Sequence, residues 1–251
     1  MNKTILITGA TSGIGLACAR KFAENGDKVI LTGRNEQRLA EIRKTLTDKG
    51  AQVLTLAFDV RDSEKAKEYI DGLPAEWKEI DVLVNNAGLA LGVDREYEGD
   101  IEEWSTMIDT NIKGLLTMTR LIVPGMVERN RGHIINIGSV AGDAAYAGGS
   151  VYCATKAAVK ALSDGLRIDV IDTSIRVTNL KPGLVETNFS NIRFRGDKER
   201  AKKLYTGINP LTGDDIADVA VYASNAPEHV QIAEVLILAT HQASANMIVR
   251  K

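Results

Sequence analysis

The first fifteen residues restrict the fold more than any other stretch. Residues 4–8 (TILIT) are a short apolar run rich in β-branched side chains, which reads as a strand buried on both faces. The run leads into GATSGIG, with Gly9, Gly13 and Gly15, and then into LACARKFAENG, where apolar residues recur at helical spacing up to a stop at Gly26. Strand, glycine turn and helix make the first arm of a βαβ unit. The glycines let the backbone turn sharply and approach a ligand. The helix start offers free N–H groups and the positive end of a dipole to a pyrophosphate. The residues expected to touch such a ligand are Gly9, Thr11, Ser12, Gly13, Ile14 and Gly15. The spacing is TGxxxGxG, and an ordinary tight turn is the competing reading.

The alternation continues through the chain. Strand-like runs recur at residues 28–32, 52–58, 80–84, 132–138, 174–180 and 235–240. Between them lie helical patterns at residues 35–50, 62–72, 101–110, 112–129, 151–171 and 212–224, the last opened by Thr212 as a cap. This rhythm predicts an α/β fold, a Rossmann-type doubly wound parallel sheet of seven strands with helices on both faces, in one domain over residues 1–251. The composition, 44% hydrophobic and 25% charged, supports a full core. A net charge of -2 supplies no global field for nucleic acid or anionic lipid, so neither is expected as a partner. Cys18 and Cys153 form no framework and read as apolar fillers in a reducing compartment. The three histidines show no metal-ligand spacing, and no metal is expected. The amino terminus reads as a strand rather than a leader, and no run approaches the ~18 apolar residues of a membrane span. The expected location is the cytoplasm.

Chemistry-bearing residues fall at the carboxyl ends of the strands, where doubly wound sheets bind ligands. The second strand ends Leu31-Thr32-Gly33-Arg34, with no acid to bond a ribose hydroxyl. Arg34 can pair with a 2′-phosphate, and Arg38 can cover the same group from the next helix, which favours NADP over NAD. Solvated surface arginines are the alternative, and Glu36 would oppose a phosphate. Asp59 and Val60 end the third strand, where the carboxylate either meets adenine or caps the next helix. The fourth strand delivers Asn85, Asn86, Ala87 and Gly88. Asn111 falls inside a helical stretch, an unfavourable place unless its amide or carbonyl is used. Ser139 ends the fifth strand. Tyr152 and Lys156, four residues apart, share one face of a helix. An ammonium beside a phenol favours the phenolate, so this pair can exchange a proton with an alcohol near neutral pH, helped by the Ser139 hydroxyl. Tyr-x-x-x-Lys also arises by chance on exposed helices. Tyr146 belongs to a loop that can line a cleft. Residues 191–204 (NIRFRGDKERAKKL) read as a mobile polar flap, whose Arg193 and Arg195 either meet a substrate carboxylate or, the favoured reading for each singly, are surface charges. The tail QASANMIVRK has no pattern.

Taken together, TGATSGIG at residues 8–15, NNAG at 85–88, Asn111, Ser139, YCATK at 152–156 and Pro182-Gly183 resemble the short-chain dehydrogenase/reductase family in order and spacing. The likeness covers nearly the whole chain. LPAEW, NNAGLALG, MIDTN, PGMVERN, GHIINIGS, YAGG and SNIRFRGD resemble its NADP-dependent 3-hydroxy acid dehydrogenases, which also oxidise serine at the β-hydroxyl. The resemblance implies a hydride transfer between NADP(H) and C3 of a short 3-hydroxy or 3-oxo acid, of the serine, 3-hydroxyisobutyrate or 3-hydroxypropionate type. It implies Tyr152 as acid/base, Lys156 on the nicotinamide ribose, Ser139 on the reacting oxygen, and Asn111 holding a water through its carbonyl. Pro182, Gly183, Leu184, Val185 and Thr187 would position the nicotinamide. A homotetramer packed through the Tyr152 helix is implied as well. A thioester or sugar reductase of the same family, or a non-catalytic NADP-binding regulator, are the rival readings.

Overall fold

The computed structural model describes residues 2–251. Its seven strands are β1 (Thr4–Ile7), β2 (Lys28–Gly33), β3 (Val53–Ala57), β4 (Val82–Asn85), β5 (Gly132–Ile137), β6 (Ile175–Pro182) and β7 (Glu234–Ile237). The sheet order is β3-β2-β1-β4-β5-β6-β7, and every neighbouring pair is parallel. The helices among the described residues are α1 (Gly13–Glu24), α2 (Glu36–Thr47), α3 (Ser63–Asp71), α4 (Ile101–Ile108), α5 (Leu115–Glu128), α6 (Ser150–Asp169), α7 (Phe189–Arg193), α8 (Lys198–Lys203) and α9 (Gly213–Asn225). This is the doubly wound fold the strand–helix rhythm predicts.

Apolar residues fill both faces of the sheet because successive side chains in a strand point to opposite sides. Ile5, Ile7, Val29 and Leu31 pack into one core with Phe22 of α1, Leu39 of α2 and Ile216 of α9. Leu6 and Ile30 pack into the other with Ala66 of α3 and Met118, Ile122 and Met126 of α5. Phe22 is fully buried, and truncating such a ring costs about 3–5 kcal/mol. Helix α9 is capped as expected, the Asp215 carboxylate accepting from the Thr212 N–H at 2.7 Å. It is tied to α1 by the Arg20–Asp214 and Lys21–Asp218 ion pairs.

Three elements differ from the sequence reading. The stretch over residues 101–129 is one continuous spiral in which Asp109–Gly114 is π-helical, so Asn111 sits in a widened turn. Residues 191–204 are not an open flap. They fold as the end of α7 and α8, joined through Arg195 and Gly196, both left-handed at φ 53° and 87°. The last strand stops at Ile237, and the patternless tail beyond it folds back over the sheet's carboxyl edge through a bridge between Gln242 and Ile248.

Candidate active site

The order in which strands are added reverses between β1 and β4, and a crevice opens there at the strands' carboxyl ends. The cleft has a volume of about 610 Å³. The glycine turn forms its floor. Gly9 has φ 65°, and a Cβ there would come 2.9 Å from Ala87 Cα. A Cβ at Gly15 would collide with the Asn86 amide and the Gly9 carbonyl. Gly15 is therefore a packing glycine and does not line the cleft, whereas Gly9, Thr11, Ser12, Gly13 and Ile14 do. Asn86 Nδ2 fixes the turn by donating to the carbonyls of Thr8 (2.9 Å) and Gly9 (3.1 Å). The Thr8 hydroxyl accepts from the N–H groups of Asn86 (3.0 Å) and Ala87 (2.9 Å). Ser12 gives α1 no side-chain cap, so the first-turn N–H groups stay available to an anionic ligand.

At one end of the cleft lie Gly33 and Arg34 from β2, then Asp59 and Val60. The exposed Arg34 guanidinium stands 3.9 Å from the Asp59 carboxylate. Burial alone would raise the Asp59 pKa, but the hydrogen bonds from Arg61 outweigh it and hold the carboxyl below its ordinary value. Asp59 is not the cap of α3, because Asp62 accepts from the Lys65 N–H at 2.9 Å and takes that role. Arg38 does not join Arg34. Its N–H is taken by the Asn35 cap (2.9 Å), its guanidinium by Glu41 (2.9 Å), and it lies outside the cleft lining. Glu36 is exposed and outside it too.

At the other end, β5 delivers Ser139 and α6 delivers Tyr152 and Lys156, and all three face the cleft. Gly88 borders them from the loop after β4, and Pro182, Gly183, Leu184, Val185 and Thr187 follow β6 along the opposite wall. Lys156 is buried and its Nζ donates to the Ile137 carbonyl at 2.8 Å. That burial pushes its pKa down to about 8. Tyr152 is half-buried in area, its ring tilted against Phe189 at 5.6 Å between centroids. Burial raises its pKa, and so does Tyr146. The Ser139 hydroxyl and the Arg193 guanidinium pull it down without prevailing. The Lys156 ammonium lies 5.9 Å from the ring centre and is aimed at a carbonyl.

Asn111 does not touch the cleft. Its carboxamide exchanges two hydrogen bonds with the backbone of Leu89, each 2.8 Å, and donates to the Thr155 hydroxyl at 3.0 Å. It thereby links the loop after β4 to α6 beneath the reacting centre. Arg195 is exposed and paired with Asp94 and Glu103, each at 2.7 Å, the surface role favoured for it. Arg193 instead lines the cleft beside Tyr152. The sequence reading passed over the tail, whose Gln242, Asn246 and Ile248 wall the cleft. The Gln242 Oε1 accepts from the Leu184 N–H at 2.8 Å. A tail with no hydropathic period carries no local signal of such a role.

The sheet and crevice are those of a doubly wound dinucleotide-binding fold, and the short chain dehydrogenase family matches residues 3–197. The chain belongs to that family. It is 50% identical over 248 residues, 98% of this chain and 99% of the relative, to the NADP-dependent 3-hydroxy acid dehydrogenase YdfG of Salmonella typhi. It is 46% identical over 251 residues to the NADP-dependent 3-hydroxy acid dehydrogenase of Schizosaccharomyces pombe, covering 99% of this chain and 97% of that one. A closed form of serine dehydrogenase complexed with NADP+ superposes with a TM-score of 0.94 at 47% identity, covering 99% of both chains.

Proposed function

We propose that this chain is an NADP-dependent dehydrogenase that moves a hydride between NADP(H) and C3 of a short 3-hydroxy or 3-oxo acid, of the serine, 3-hydroxyisobutyrate or 3-hydroxypropionate/malonic semialdehyde type. The observation that carries the reading is the meeting of Ser139, Tyr152 and Lys156 in the crevice floored by the glycine turn. The residues present suit the dinucleotide: a backbone turn held tight against Ala87 where a Cβ at Gly9 would not fit, an uncapped helix start, and Arg34 for a 2′-phosphate. When bound, NADP+ supplies the hydride acceptor and a positive ring that favours tyrosinate. Tyr152 takes the proton of the substrate hydroxyl, or returns it to the carbonyl oxygen. Ser139 holds that oxygen, and its own hydroxyl is oriented by the Ala141 N–H it accepts from at 3.0 Å. Lys156 holds the nicotinamide ribose and passes protons toward a water on the Asn111 carbonyl. Pro182, Gly183, Leu184, Val185 and Thr187 fix which face of the nicotinamide is used. Residues 1–251 act as one domain, and four copies assemble through α6. Steady-state rates for serine, 3-hydroxyisobutyrate and 3-hydroxypropionate, each with NAD and NADP, test the reading against acyl thioesters and polyols. Turnover confined to thioesters or polyols overturns the substrate class, and a strong preference for NAD overturns the role given to Arg34.

A further inference from the structure

Arg193 is the one guanidinium at the Tyr152 end of the cleft lining, and nothing so far uses it. It closes α7, and its carbonyl accepts from the Gly92 N–H at 3.0 Å, which pins it to the loop after β4. Its Nη1 donates to the Tyr146 hydroxyl at 2.8 Å. The guanidinium carbon lies 5.1 Å from the Tyr146 ring centre and 5.9 Å from that of Tyr152. Nε is buried without a partner. Among the described residues Nη2 has none either, and no carboxylate pairs with the group. Nε and Nη2 form one edge of the guanidinium fork, the shape that takes a carboxylate through two parallel hydrogen bonds. A buried donor without a partner costs free energy, so an edge left unpaired beside the reacting centre is unusual unless a ligand completes it.

We propose that Arg193 binds the carboxylate of the hydroxy acid and so fixes the spacing between that group and the carbon oxidised at Tyr152. The proposal rests on the 3-hydroxy acid reading given above. With carbon–carbon bonds near 1.5 Å, C1 and C3 of such an acid lie about 2.5 Å apart. A guanidinium packed against the tyrosine ring therefore reaches C1 while the phenol reaches the oxygen on C3. The other cleft cations are placed for different work. Lys156 is committed to the Ile137 carbonyl, and Arg34 stands at the far end beside Asp59. Arg195 is a positioning residue. Its ion pairs with Asp94 and Glu103 clasp the segment that carries Arg193.

The experiment compares wild type with Arg193→Met and Arg193→Lys, using 3-hydroxypropionate and its uncharged methyl ester with NADP+. Inhibition by propionate, which has the carboxylate but no alcohol, and NADP binding are measured alongside. The expected result is a rise of about 10- to 100-fold in KM for the acid in Arg193→Met, as befits a lost charged hydrogen-bond pair. Propionate inhibition weakens by a similar factor, while the ester and NADP binding change little. Arg193→Lys recovers part of the loss. Equal losses for acid and ester with unchanged propionate inhibition reduce Arg193 to a prop for Tyr146 and overturn the proposal. A matching loss of NADP binding overturns it in favour of a phosphate contact. Wild type that oxidises no 3-hydroxy acid overturns the functional reading as well, whereas wild type that does, with an undamaged Arg193→Met, removes Arg193 alone.

Discussion

Burial governs the charges of the two central side chains more than their mutual proximity does. Tyr152 is held above its ordinary pKa by the protein alone, and Lys156 is pushed down to about 8. Replacing Tyr152 by Phe removes one hydroxyl and keeps the ring against Phe189. Turnover is expected to fall at least ~10²- to 10⁴-fold, the usual worth of a general acid/base. Fluorescence titration should find NADP binding nearly unchanged, and substantial remaining turnover would remove Tyr152 from its assigned role. Lys156 makes a second prediction through stability. Its folded pKa is depressed below 10.5, so between about pH 8 and 10.5 the unfolded chain binds more protons. Stability contributed through this group is lowest below about pH 8 and rises with pH across that window. Lys156→Met should lose that slope in urea titrations, and an unchanged slope would show that Lys156 is not depressed. The four-residue spacing of this pair is legible in the sequence because a helix sets which side chains share a face. The direction of the shifts is not, since burial depends on β5 and on residues far along the chain. Arg38 shows how local pairing enters as well. Four residues from Arg34, its guanidinium rests on the exposed Glu41 three residues on.

At the scale of elements, the π-helical turn between α4 and α5 explains how an asparagine can occupy a buried helical position. Its carboxamide substitutes for backbone contacts that the loop after β4 would otherwise lack, bonding both the N–H and the C=O of Leu89. Asn111→Leu strands those groups and the Thr155 hydroxyl. It should destabilise the protein by about 2–4 kcal/mol, measured as a lower urea midpoint. A loss under about 0.5 kcal/mol would mean the network is dispensable. The sequence flags Asn111 as an anomaly for a helix, yet only the fold shows that the amide rather than the carbonyl makes the visible contacts. The segment over residues 189–203 shows the opposite limitation. Its charge reads as a solvated flap, but Asp197 caps α8 through the Arg200 N–H at 3.0 Å, and Arg195 anchors it across 92 residues to Glu103. The cap is local, but nothing near Arg195 in the sequence points to Glu103.

For the whole molecule, the parallel sheet with helices on both faces follows from the strand–helix rhythm, because parallel strands need crossovers and crossovers have one hand. That part was legible. The contribution of the tail was not, because its contacts to the cleft are long-range and follow no period. The proposed tetramer has a physical basis in α6, which exposes Ala154, Ala157 and Ala161 along its length and Ile168 at 71% near its end. Ile171, just past the helix, is 81% exposed. Ile168→Lys should shift sedimentation equilibrium toward smaller species without altering the circular dichroism spectrum. An unchanged mass distribution would place the interface elsewhere. The folded-back tail also bears on how the protein can be handled. Asn246 bonds the Ala145 carbonyl at 3.1 Å, and the Lys251 N–H bonds the Gly207 carbonyl at 2.8 Å, so the last residue is stitched to the rim of the cleft. Lys3 lies at the opposite, amino edge of the sheet, against Ser224 and Asn225. An affinity tag or a tether to a solid support therefore belongs on the amino end. The same attachment at Lys251 would pull on the wall that encloses the reacting groups.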